Sequence, residues 1–143
     1  MNQRIKLLQA ELSFKTFDQE LFEITREINS WIKLQKINNG NLTIFVKHTS
    51  VSLIIQENAS REVLYDIKNF FKKIVPEDNS LYKHSIEGKD DMPAHIKSIL
   101  TQTSLTVPVL NKKLDLGTWQ GIFLYEHRIH PQTRKINLSF IGE

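Results

Sequence analysis

Between Leu42 and Lys47 the chain alternates without a break: Leu42, Ile44 and Val46 stand against Thr43, Phe45 and Lys47. A period of two puts every second side chain on the same face of a strand, so this run commits the chain to a sheet with one buried face. A second apolar strand, Val51 to Gln56, follows closely. Arg4 to Phe14 alternates more loosely and is expected as an N-terminal strand, with a short strand at Leu21 to Ile24. Leu105 to Leu110, a tight turn at Asn111-Lys112-Lys113, a long strand from Leu114 to Glu126 and a last one from Arg134 to Ile141 complete the β content.

Helices are spelled by a different period. Val63, Leu64, Ile67, Phe70, Phe71 and Ile74 recur three and four apart, Ser60 stands at the N-cap position, and Pro76 stops the run. A shorter stripe, Ile28, Trp31, Ile32 and Leu34, predicts a helix capped by Thr25 and closed by Asn38-Asn39-Gly40. Pro93 suits the first turn of a third helix through Leu100, with Ile96, Ile99 and Leu100 expected inward. These elements are mixed without strict βαβ alternation, so the expected class is α+β: largely antiparallel sheets, about three helices, and one domain over residues 1–143.

Composition removes several functions. The 143 residues include no cysteine, which excludes disulfides, thiolate metal sites and cysteine nucleophiles. No apolar run approaches the roughly 18–20 residues of a membrane-spanning helix. The start, M-N-Q-R-I-K-L-L, lacks a long apolar stretch and a cleavage site, so no signal peptide is expected and a cytoplasmic location is. The net charge is +3, and the densest basic pairs are only Lys72-Lys73 and Lys112-Lys113, so no nucleic-acid partner is expected. Walker-type phosphate loops, G-x-G-x-x-G, G-x-S-x-G and H-E-x-x-H are all missing.

What remains is histidine. His48 ends a strand before Thr49 and Ser50; His84 lies in the polar stretch Glu77 to Met92, which has seven charged side chains and no clear period; His95 follows Asp90 and Asp91; His127 follows Glu126. His130 sits in a proline-containing turn and reads as solvent-exposed. A lone histidine at a strand end is more often a hydrogen-bonded rim residue than a ligand. Jointly, the polar stretch folding over the strand ends would gather three or four imidazoles, a donor set suited to Zn²⁺ or another borderline divalent metal, with Glu87, Asp90 or Glu126 orienting the rings. The segment Leu114 to His127 adds Gly117-Thr118-Trp119-Gln120-Gly121, where glycines inside a strand mark a bulge or a close approach.

The runs H-T-S-V-S-L-I-I-Q-E-N-A from His48, V-P-E-D from Val75, H-S-I-E-G from His84, D-D-M-P-A-H from Asp90, S-L-T-V-P-V from Ser104, L-G-T-W-Q-G-I-F-L-Y-E-H from Leu116 and the closing I-G-E resemble the YjbQ family over nearly the whole chain. The resemblance implies an α+β subunit assembling as a homotrimer. It also implies secondary thiamine-phosphate synthase activity, in which a pyrimidine diphosphate is joined to a thiazole phosphate with release of pyrophosphate. The implied cofactor is a divalent metal, Zn²⁺ first and Mg²⁺ second, on His84, His95 and His127, with His48 a further ligand or an acid/base group. Substrate contacts are expected from Lys47, Thr49, Ser50, Thr118, Trp119 and Gln120, with Trp119 offering a flat surface and Arg128 a further charge. Some relatives carry a cysteine where Tyr125 stands, so no thiol step is expected at that position.

Two alternatives use the same residues. One is a metal-dependent hydrolase of a small phosphorylated or acyl substrate, with Asp90 or Glu57 as base. The other is a non-catalytic trimeric binding protein for an anionic metabolite or metal.

Overall fold

A computed structural model describes residues 4–143. The elements run β1 (Lys6–Thr16), β2 (Leu21–Glu23), α1 (Thr25–Leu34), β3 (Gly40–Val46), β4 (Val51–Glu57), α2 (Arg61–Ile74), a single 3₁₀ turn (Asn79–Leu81), α3 (Asp91–Leu100), β5 (Ser104–Leu110), β6 (Lys113–Leu114), β7 (Gln120–Glu126) and β8 (Gln132–Gly142). They form a five-stranded sheet in the order β1-β8-β3-β5-β6 and a three-stranded sheet in the order β2-β7-β4. Every pairing is antiparallel. This is the expected α+β class, with three α-helices among the described residues.

The alternation at β3 does what period two demands. Leu42, Ile44 and Val46 are buried and join Val107 and Val109 of β5 and Ile136, Leu138 and Phe140 of β8. From the smaller sheet Val51, Leu53, Ile122 and Leu124 meet them, and Ile28, Trp31 and Ile32 of α1 belong to the same core. The turn joining β5 to β6 places Asn111 and Lys112 at φ +51° and +69°, the left-handed pair of a two-residue hairpin loop.

Four local expectations are corrected. Leu114–Glu126 is not one strand: β6 ends at Leu114, and Gly117 to Trp119 lie in the loop before β7. Gly117's N–H donates to Gln120 Oε1 there, while a Cβ on Gly121 would stand 2.5 Å from Glu23 Oε2. Thr25 is not a cap but the first residue of α1; its hydroxyl donates to Glu23 Oε2 and accepts the Ile122 N–H, tying the helix to the sheet. The helix also closes earlier than Asn38, where Lys36 adopts φ +54°.

The third helix begins at Asp91 and turns a different face inward from the one its apolar residues suggest. Asp91, Ala94, Lys97 and Ser98 are buried, whereas Ile99 and Leu100 are 79% and 53% exposed. Polar bonds choose that face: Ser98 Oγ reaches the Val51 carbonyl, Thr101 Oγ1 reaches Ser52 Oγ, and Asp91 is clamped by Arg128.

Candidate functional site

Asp91 and His95 stand one turn apart on α3, so their side chains share a helix face. His84 arrives from the loop that precedes the helix. Its Nε2 lies 2.6 Å from Asp91 Oδ2, and His95 Nε2 lies 3.4 Å from the same oxygen. The two rings meet edge-on with centroids 5.6 Å apart. Among the described residues these three form a cluster with ligand-type atoms all within 4.8 Å of one another.

Each member is held from outside. The other nitrogen of His95, Nδ1, donates to the Thr49 carbonyl at 3.0 Å. A carbonyl only accepts, so a neutral His95 carries its proton on Nδ1 and presents a lone pair at Nε2 toward Asp91. Asp91, 2% exposed, receives Arg128 Nη1 on its second oxygen at 2.6 Å. Burial pushes the Asp91 carboxyl up, but the His84 hydrogen bond, the Arg128 guanidinium and His95 outweigh it, and its pKa lies below the ordinary carboxylate range. Arg128 also donates from Nε to Asp90 Oδ2 at 3.0 Å and from Nη2 to the Glu87 carbonyl at 2.9 Å.

Three of the Arg128 N–H groups are therefore committed to the chain. Asp90 is likewise committed: its Oδ2 also takes the Ile129 N–H at 2.9 Å, and these bonds hold its pKa down against the upward push of burial. A buried carboxylate pinned by two donors is a poor proton acceptor, which corrects its expected role as base.

His127 is placed apart from the cluster. It is fully buried, with Nε2 2.8 Å from Ser52 Oγ and its ring 4.3 Å from that of Tyr125. Burial first, then Lys97 and Arg134, push its pKa down to about 3, so it stays neutral. Its Nδ1 has no hydrogen-bond partner among the described residues. In the cluster Asp91 occupies the third position expected of His127. The signal for Asp91 was in the sequence as a D-x-x-x-H spacing, legible once the helix starts at Asp91 rather than at Pro93.

Glu126 lies behind His127 and makes no contact with the metal-type cluster. It accepts Arg134 Nε at 2.7 Å and Nη2 at 2.5 Å, a very short bond from the Thr16 hydroxyl, and the N–H groups of His127 and Arg128. Ser50 is drawn into this buried ion pair through its hydroxyl and carbonyl, both facing Arg134 Nη2. Lys47 pairs with Glu11 at 3.3 Å on the surface.

The tryptophan segment sits at the far end of the smaller sheet. Val51 pairs with Glu126 at one end and Glu57 with Gln120 at the other, six residues along. At about 3.3 Å per residue that is about 20 Å. Thr118, Trp119, Gln120 and Glu57 therefore do not stand with the histidines of the same chain, because the antiparallel register carries them away. Trp119 is 63% exposed.

Beside His95 opens a pocket of about 460 Å³, lined by His48, Thr49, His95, Ser98, Thr101 and Gln102 together with Ile99 and Thr103. A larger groove of about 900 Å³ runs between α1 and the β5–β6 turn, but its lining is solvent-facing and contains no histidine. Chemistry favours the smaller one, since it alone adjoins the cluster.

Comparison with known proteins agrees with this architecture. A family described as UPF0047 protein YjbQ-like matches residues 10–143. A UPF0047 protein of Synechocystis is 47% identical over 135 residues, covering 94% of this chain and 92% of its own length. The YjbQ protein of Escherichia coli O157:H7 is 46% identical over 121 residues, covering 84% and 87%. A crystal structure of a YjbQ-like protein of unknown function from Sulfolobus solfataricus superposes with a TM-score of 0.87 at 28% identity, covering 98% of this chain and 100% of that one. An uncharacterised relative from Clostridium acetobutylicum gives a TM-score of 0.82 at 33% identity, covering 92% and 98%.

Proposed function

The chain belongs to the UPF0047 YjbQ-like family, and we propose that it is a metal-assisted enzyme whose divalent ion is held by His84, Asp91 and His95. One observation carries this reading. A single carboxylate oxygen, Asp91 Oδ2, faces two imidazole Nε2 atoms at 2.6 and 3.4 Å, while the proton of His95 is fixed on its far nitrogen. Across the 3.4 Å contact the carboxylate and the lone pair of neutral His95 repel, and a cation held by both would remove the repulsion; His84, which hydrogen-bonds Asp91, would give up that proton to join them as a ligand. Bonds of this type behind the ligands, imidazole to carbonyl and carboxylate to guanidinium, are what orient ligands in metal centres. Two nitrogens and one oxygen favour Zn²⁺; Mg²⁺, which prefers oxygen and water, is the lesser alternative.

The reaction proposed is the one the family resemblance implies, thiamine-phosphate synthesis from a pyrimidine diphosphate and a thiazole phosphate. An ion held by His84, Asp91 and His95 would supply positive charge for a departing pyrophosphate. The chain's own part is to orient. Arg128 and Thr49 hold the ligand side chains, and the pocket beside His95 brings the reactants next to them. Because Arg128 and Lys47 are already paired, the leaving group draws no free cationic side chain from either.

Zn²⁺-loaded protein incubated with the two phosphorylated precursors tests the proposal, with His84→Ala, His95→Ala and Asp91→Asn as controls. Thiamine phosphate formed by the parent and lost in all three variants is the expected result. A parent that binds Zn²⁺ but turns over only other phosphoesters or acyl esters belongs to the hydrolase alternative. Stabilisation by the precursors without turnover makes it a binding protein.

We further propose a cytoplasmic homotrimer. Tyr65 and Phe70 on α2 and Ile99 and Leu100 on α3 are each more than half exposed, more apolar surface than two helices of a lone subunit ordinarily leave in water. No helix of the described residues is long and apolar enough to cross a membrane. Light scattering of the eluted protein reads the subunit number directly.

A further inference from the structure

His48 sits just beyond the end of β3, where the ladder to β8 runs out. The last backbone rung is Lys47 N–H to the Lys135 carbonyl at 3.2 Å. The next is made by a side chain: the Lys135 N–H donates to His48 Nε2 at 2.8 Å. An amide N–H can only donate, so Nε2 offers its lone pair and the proton of the neutral ring resides on Nδ1. Burial, and then Arg134, Lys135 and Lys47 against the opposing pull of Glu126, lower the His48 pKa and keep the ring neutral. Nδ1 makes no hydrogen bond among the described residues.

The ring lines the same pocket as His95. The two neutral rings are opposite tautomers: His95 has its Nδ1 proton taken up by the Thr49 carbonyl and turns its lone pair to Asp91, whereas His48 has its lone pair taken up by the Lys135 N–H and keeps a proton. No carboxylate lines the pocket; the other polar groups are hydroxyls and the Gln102 amide. Arg134 is paired with Glu126 and Lys47 with Glu11, so what the pocket offers an anion is neutral donors rather than free charge.

We propose that this pocket binds the substrate of the metal centre through an oxyanion, and that His48 is the neutral donor to it through Nδ1–H. His48 is then a binding and specificity residue, neither a metal ligand nor a general base, because its only basic nitrogen is spent on the backbone of β8. The location of the substrate relative to the ion rests on the metal reading above; the tautomer and the anion preference do not.

Long-range ¹H–¹⁵N spectra of the full chain at about pH 7.5, above the ordinary histidine pKa of roughly 6.5, read the tautomer directly. They are recorded metal-free and Zn²⁺-loaded. Nδ1 of His48 is expected to be protonated and Nε2 unprotonated in both. Titration with inorganic sulfate, and separately with sodium acetate, is expected to move the His48 Nδ1–H signal saturably. The arm with the lower Kd distinguishes a tetrahedral oxyanion from a carboxylate. His48→Met keeps a side chain of similar length but has no donor, and is expected to weaken the anion about tenfold while leaving the Zn²⁺ isotherm unchanged. An Nε2-protonated or doubly protonated His48 overturns the proposal, as does an unmoved signal with both anions or parent-like anion affinity in His48→Met. Loss of Zn²⁺ in His48→Met also overturns it, by making His48 a ligand. If the parent fails to bind Zn²⁺, the metal reading falls, and the metal-free spectra and titrations still decide the role of His48.

Discussion

His95 donates its Nδ1–H to the carbonyl of Thr49 across 3.0 Å, and this bond joins α3 to the loop between β3 and β4. It also decides which imidazole nitrogen is left to face Asp91. A backbone carbonyl cannot be removed by substitution, so the consequences are tested through the side chains it organises.

Zn²⁺ titrated into the metal-free chain is expected to bind with one equivalent per subunit. Arg128→Ala, which frees Asp91 without removing a ligand, should weaken that binding about 10–100-fold, and His95→Ala or Asp91→Asn should weaken it further. Calorimetry measures both. Undiminished affinity in Asp91→Asn would move the ion elsewhere.

Trp119→Ala and Glu57→Gln should leave the Zn²⁺ isotherm within about twofold of the parent, since these residues stand at the opposite end of β4 and β7. A loss of more than about tenfold in either, a difference of roughly 1.4 kcal/mol, would mean that a neighbouring subunit carries that end of the sheet to the histidines.

His127 makes stability depend on pH. Its folded pKa of about 3 lies below its unfolded value near 6.5, so between these limits the unfolded chain binds the extra proton. Stability conferred by the neutral ring is fully present above about pH 6.5 and falls as pH drops toward 3, by up to about 1.4 kcal/mol per pH unit. Urea unfolding between pH 4.5 and 6 should show a flatter slope in His127→Gln than in the parent. Equal slopes would show that the ring titrates normally in the folded chain.

Glu126 and Arg134 are both nearly or wholly buried and doubly hydrogen-bonded. Glu126→Gln strands the guanidinium, and Arg134→Met strands the carboxylate; each is expected to cost about 3–5 kcal/mol. A change below about 1 kcal/mol in urea midpoint analysis would show that the pair is solvated after all.

Local order in this chain is written in periods. Alternation at Leu42–Val46 and three-four spacing at Val63–Ile74 state their elements outright, because a strand or helix needs only its own residues to say which face is apolar. The sequence likewise put His48 and His127 at strand ends and His84 in the polar stretch, and the tight turn at Asn111-Lys112-Lys113 was legible between two strands. Other features depended on partners distant in sequence. Ile99 and Leu100 promised the inner face of α3, yet the helix is rolled by bonds from Asp91 to Arg128 and from Thr101 to Ser52, residues 37 and 49 positions away. The same long-range contacts selected Asp91 over His127 for the cluster, and the antiparallel register of β4 with β7 sent Trp119 to the far end. Periodicity is a property of neighbours along the chain; tautomers, ligand sets and the side to which a helix turns are settled by what the fold brings up against them.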